Sequence, residues 1–113
     1  MMKIDTRRVN DVLVVDMHGR LDSPSVADAE ESLLNVIEGK DRRVLLNLDK
    51  LEYATSTGLR VIIRLARLLE ENRGELRICN AKGVVRDALE IFGLHTLVKI
   101  FDTEKQALAA FPA

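Results

Sequence analysis

Leu51-Glu52-Tyr53-Ala54-Thr55-Ser56-Thr57-Gly58-Leu59 is the stretch that decides how the chain is read. An apolar β-type run, Val44-Leu45-Leu46-Asn47-Leu48, precedes it, and a helical run from Leu59 to Glu71 follows. Three hydroxyl residues and a glycine therefore stand where a strand has ended and a helix begins. The first N–H groups of a helix lack intrahelical partners and carry partial positive charge, so the position suits an oxygen ligand or a phosphate. One reading is capping, with Thr55 or Ser56 accepting a bond from an N–H one turn on. The other is that an exposed Ser56 is a site of phosphorylation and partner contact.

Outward from this stretch the elements alternate. Ile4 to Val9 is a charged β-compatible segment, and Asn10-Asp11 signals a turn into a strand over Val12 to Gly19. A turn so short makes the pair antiparallel, with Lys3, Arg7 and Arg8 guarding the first strand as an edge. Ser23 as N-cap with Pro24 at the first helical position opens a helix. Val26, Ala29, Leu33, Val36 and Ile37 form its apolar face, and Gly39 stops it. Arg42 to Leu48 is nearly continuously apolar after its first two residues, which suits a buried parallel strand.

In the helix after Gly58, Arg60, Arg64, Arg67 and Glu71 recur every three to four residues as one polar stripe. Glu75 to Cys79 alternates like a strand. Asn80 is placed to cap a helix from about Lys82 to Phe92, with Gly93 as its C′ residue. Val98 to Phe101 is a last strand, and Thr103 with Gln106 has the spacing of a capping box for a final helix.

The order β-β-α-β-α-β-α-β-α predicts a single α/β domain over residues 1–113. It has a mostly parallel mixed sheet, an antiparallel N-terminal strand and about four helices. Functional loops in such sheets lie beyond the carboxyl ends of the parallel strands, which makes Asp22 and Ser56 neighbours.

The totals narrow the function. A chain of 113 residues with 47% hydrophobic and 31% charged content can bury a core without metal or disulfide. A net charge of −1, no tryptophan and only four other aromatics argue against direct nucleic-acid binding. The single Cys79 rules out an intramolecular disulfide or thiolate cluster and reads as a small buried residue. No apolar run is long enough for membrane insertion, and a polar N-terminus points to a cytoplasmic protein. Isolated glycines give no phosphate loop, and His18 and His95 lack ligand spacing, so no metal, cofactor or catalytic residue is expected. Ser56 lacks the base and orienting group of a nucleophile, so the chain reads as a non-enzyme.

The aromatic-x-hydroxyl-Ser-x-Gly-Leu segment resembles that of the STAS domain, in its anti-sigma factor antagonist branch. So do Gly19-Arg20-Leu21-Asp22, Val85 to Leu94 and Ile100 to Leu108. The family usually reads Asp-Ser-Ser-Gly where this chain has Thr55, Ser56, Thr57 and Gly58, and the first serine is phosphorylated there. The resemblance implies Ser56 as phosphoacceptor and Thr57 as second candidate. Asp22, Ser23, Thr55, Ser56, Thr57, Gly58, Arg60 and Arg64 become the partner-binding residues. Thr55 replaces the usual aspartate, and Arg60 stands where a small residue is common.

The implied partners are an anti-sigma factor/serine kinase of the histidine-kinase-like ATPase fold and a metal-dependent, PP2C-type serine phosphatase. The chain itself would be a monomer or weak homodimer. Unphosphorylated, it would bind the kinase and free a sigma factor; phosphorylated on Ser56, it would let go. The alternative in the same family is a non-phosphorylated accessory subunit, for instance on the ATPase of a lipid transporter.

Overall fold

A hairpin begins the fold. β1 (Met2–Val9) and β2 (Val12–Leu21) pair antiparallel with Ile4 opposite Met17 and Arg7 opposite Val14. Asn10 turns the corner with φ 55°, a left-handed conformation that a two-residue hairpin loop needs and asparagine tolerates. The computed structural model describes residues 2–39 and 41–111, apart from the side chain of Ile37.

β3 (Arg43–Asn47), β5 (Glu75–Cys79) and β6 (Lys99–Phe101) extend the sheet in parallel, in the order β1-β2-β3-β5-β6. A sixth strand, β4 (Leu51–Ala54), stands outside the predicted order. It runs parallel to β2, with Leu51 opposite Gly19 and Ala54 opposite Leu21. β3 pairs with β2 only from Leu13 to Asp16, so β4 takes up the same edge of β2 where β3 has left it. Only its end residues are buried, with Glu52 and Tyr53 exposed between them, so no alternation marked it as a strand.

Helices α1 (Val26–Glu38), α2 (Ser56–Glu71) and α3 (Gly83–Ile91) cover one face. Side chains alternate across the sheet, so Val15, Met17, Leu46 and Ile78 meet Leu33, Leu59, Ile62, Leu69 and Leu89 in one buried cluster. α4 (Glu104–Ala110) lies on the opposite face, where Ala107 and Phe111 cover Val12, Val14, Leu45 and Cys79. Burial there pushes the Cys79 thiol up to about 12, so it is no thiolate nucleophile.

The α4 face also carries charge. Arg7 bonds Asp16 at 2.7 Å and also pairs with Glu104, which accepts a further bond from Asn47 at 3.0 Å. Arg77 is 3% exposed, paired with Glu75 at 2.6 Å, its guanidinium 4.7 Å from the Phe111 ring centre. No helix among the described residues is long and apolar enough to cross a membrane.

Two caps differ from expectation. α1 is preceded by a 3-10 turn, Ser23–Ser25, whose N-cap is Asp22 rather than Ser23. Asp22 accepts from the Ser25 N–H at 3.3 Å, and the Asp22 N–H donates to the Ser25 hydroxyl at 3.0 Å. This reciprocal box outbids a lone Ser23 cap. Asn80 does not cap α3 either: it turns the chain off β5 with φ 61°, and its Oδ1 is buried without a partner. Lys82 occupies the N-cap position without a side-chain capping bond, its ammonium turning instead to Asp49 at 3.1 Å. Thr103 caps α4 through the Gln106 N–H at 3.2 Å, and Gly93 closes α3 with φ 69°, both as expected.

Candidate functional site

The end of β4 and the start of α2 are tied to the end of β2. The Thr55 N–H donates to the Leu21 carbonyl at 2.9 Å, extending the strand pairing by one residue. The chain then turns into α2, which begins at Ser56, three residues earlier than the apolar periodicity indicated. Thr55 is the N-cap, with extended backbone and its hydroxyl accepting from the Gly58 N–H at 3.2 Å. That settles which hydroxyl caps. Ser56 and Thr57, in the first turn, are both exposed.

Gly58 explains why the helix can start so close to the sheet. A Cβ at this position would lie 2.5 Å from the Leu21 carbonyl oxygen and 2.7 Å from Leu21 Cγ, inside any normal contact. Glycine is required here by close approach, since the residue has ordinary helical backbone.

The bond between Thr55 and Leu21 brings the two expected loops together. Asp22 follows Leu21 directly and Ser56 follows Thr55 directly. Desolvation pushes the Asp22 carboxyl up, but bonds from the Ser25 hydroxyl, Arg20 guanidinium and Ser25 N–H outweigh it and hold the group below the ordinary aspartate value. Asp22 is therefore an anchored anion beside the Ser56 turn, and Ser23 next to it is exposed.

Two further residues belong to this end of the sheet. Arg20 lies opposite Tyr53 across the β2–β4 pair, its guanidinium 4.5 Å from the ring centre and 3.4 Å from Asp22. Both fall in motifs the sequence offers, but their contact was not legible there, because their meeting depends on β4.

Arg60, Arg64 and Arg67 are exposed along α2. Arg64 bonds Glu30 of α1 at 2.6 Å, which ties the two helices together. Arg60 lies one helical turn beyond Ser56 and makes no ion pair among the described residues. The histidines have other surroundings. His18 sits 3.3 Å from Asp5, and His95 lines a cleft with Arg86, Glu90 and Asp102.

The arrangement offers an exposed serine hydroxyl at a helix start, flanked by a fixed carboxylate and a free guanidinium. A phosphate there adds about −1.5 to −2 charges at neutral pH. The unpaired N–H groups of a helix start are favourable to such a charge.

Comparison with known proteins agrees with this fold. The model of the STAS domain matches residues 3–107. The chain is 32% identical to BtrV of Bordetella bronchiseptica, provisionally named an anti-sigma factor antagonist, over 97% of this chain and 95% of that protein. It superposes on an anti-sigma factor antagonist from Mycobacterium paratuberculosis with TM-score 0.90 at 19% identity, covering 97% and 93% of the two chains. The phosphorylated form of the Bacillus cell fate determinant SpoIIAA matches with TM-score 0.71 at 20% identity, over 95% of this chain and 97% of that one.

Proposed function

Since the chain belongs to the STAS domain family, we propose that it is an anti-sigma factor antagonist acting by partner switching, with Ser56 as the switch. Unphosphorylated, it binds an anti-sigma factor that is also a serine kinase of the histidine-kinase-like ATPase fold, and so releases a sigma factor. Phosphate on Ser56 ends that contact, and a metal-dependent serine phosphatase restores it. The name of BtrV and the solved phosphorylated form of SpoIIAA support this reading.

The observation that carries it is the division of labour between adjacent hydroxyls. Thr55 holds the helix start, and Ser56 is exposed with no such duty. A kinase can modify Ser56 without dismantling the cap. The added charge then sits where a partner's surface would have to desolvate it, beside the fixed Asp22 carboxylate, and like-charge repulsion with an acidic partner weakens the complex. Thr55 in place of an aspartate leaves the turn less negative.

The test is to incubate the protein with ATP and a serine kinase of the histidine-kinase-like ATPase fold from its own organism, then locate phosphate by mass spectrometry. Phosphate on Ser56, absent from Ser56→Ala, together with kinase binding that Ser56→Asp weakens, is the expected result. Stable binding without phosphate transfer would instead point to a constitutive subunit of a larger assembly.

A further inference from the structure

Among the described residues six large apolar side chains are exposed, and four of them, Val84, Ile91, Phe92 and Leu97, belong to α3 and the turn after it. Ile91 is 79% exposed and Phe92 50%. This is not a frayed end. Leu94 is 1% exposed between them, the Gly93 turn closes the helix, and the Thr96 hydroxyl donates to the Gly93 carbonyl at 2.6 Å. The segment is pinned with its apolar side outward, which on a water-soluble surface marks a contact region.

Phe92 and Leu97 face Ile63 and Arg67 of α2 across a hollow of about 260 Å³. Pockets that hold small molecules run to about 300–1,000 Å³ and are largely enclosed. This hollow is smaller and open to solvent, a size for one or two protruding side chains.

Its position relative to Ser56 follows from helix geometry. Ile63 is seven residues after Ser56 and Arg67 eleven, close to two and three full turns at about 3.6 residues per turn. Ser56, Ile63 and Arg67 therefore lie along one line of α2, spanning about 16 Å at ~1.5 Å per residue. Arg60 flanks the line, and neither Arg60 nor Arg67 has a carboxylate partner among the described residues.

We propose that this hollow is the far half of the partner-contact surface, and that it seats an apolar side chain of an amphipathic partner helix whose carboxylates face Arg60 and Arg67. The proposal rests on the partner-binding reading of Ser56. An acidic helix fits because the line runs straight along α2, ends in a hollow shared with the turn after α3, and pairs an apolar seat with unpaired cations. Along α2 the hollow runs from about 10 Å (Ile63) to about 16 Å (Arg67) from Ser56, at or past the ~8–10 Å screening length, so a phosphate on Ser56 acts on its far side only weakly. The surface thus has a switched head and an unswitched foot.

The experiment uses the unphosphorylated full chain, titrated calorimetrically with the same ATPase-fold kinase. Phe92→Ala and Arg67→Glu are each expected to weaken binding about tenfold or more. Both residues are substantially exposed, so melting temperatures should hold, and Lys3→Glu on the opposite edge of the sheet should bind as wild type does. Kinase binding unchanged in both variants would overturn the proposal, and Ser56 phosphorylation measured in the same variants would show the switch standing without it. A wild type that does not bind the kinase would overturn both readings. A wild-type dimer that the variants dissociate, with kinase binding intact, would show that a second copy occupies the hollow and would equally overturn it.

Discussion

Gly58→Ala tests how the site is built. In an exposed helix the change would stabilise by about 0.5–1 kcal/mol, since alanine loses less backbone entropy. Here the new methyl would lie 2.5 Å from a backbone oxygen and 2.7 Å from Cγ of Leu21, which is fully buried. The carbonyl accepts the Thr55 N–H at 2.9 Å and has no room to retreat. Forcing an extra carbon into a packed interior costs about 1–3 kcal/mol, and contact with backbone argues for the upper end. The net expectation is a loss of about 2 kcal/mol. Urea unfolding would read this as a lower midpoint at unchanged slope, and heating as a fall of about 8 °C for a domain of this size. Gly83→Ala is the comparison, because a Cβ there meets nothing within 4 Å and only its φ of 56° opposes the change. A Gly58→Ala protein as stable as wild type would refute the idea that close approach to Leu21 sets where α2 begins.

Thr55→Ala should cost about 1 kcal/mol of stability through the lost cap, whereas Ser56→Ala should leave the urea midpoint within error. Equal losses in the two would put the cap on the wrong hydroxyl. Leu59→Ala, at a site 1% exposed, should cost about 2–5 kcal/mol, and Ile63→Ala clearly less because Ile63 is only partly buried. Equal melting shifts in that pair would contradict the placement of Ile63 on the rim of α2. The Arg7 hydrogen bond, against desolvation and with help from Asn47, holds the Glu104 carboxyl below its ordinary 4.5. Its folded value being the lower one, the group's stabilisation is present above 4.5 and lost as pH falls through the folded value. Between about pH 5 and pH 3, stability should decline more steeply in wild type than in Glu104→Gln, and parallel declines would count against the pair.

Much of this was legible in residue order. Apolar runs, turn residues and helical spacing placed the opening hairpin, three further strands and four helices, because each carries its own local signal. β4 carried none. Its pairing is decided by the free edge of β2 beyond Asp16, a tertiary circumstance that Leu51 to Ala54 cannot announce. With β4 unseen, the Arg20–Tyr53 stack was invisible too. The Ser23 expectation erred because Ser25 could answer Asp22 reciprocally, a choice between overlapping caps that spacing alone leaves open. Asn80 failed as a cap because Ala81 and Lys82 separate it from Gly83, where α3 begins. The arginine stripe read as one surface, yet Glu30 on another helix draws Arg64 out of it.

The seat at position 55 has an evolutionary consequence. Capping asks only for a short side chain with an oxygen, and aspartate, the residue usual in the STAS family, meets that demand as well as threonine does. Exchanging the two changes the charge beside Ser56 by a full unit while the helix start stays satisfied. A duplicated gene can therefore drift between charge states at this single codon without crossing a poorly folded intermediate. Insulation between paralogous signalling pairs, which requires a new preference at constant solubility and abundance, has an inexpensive route through Thr55.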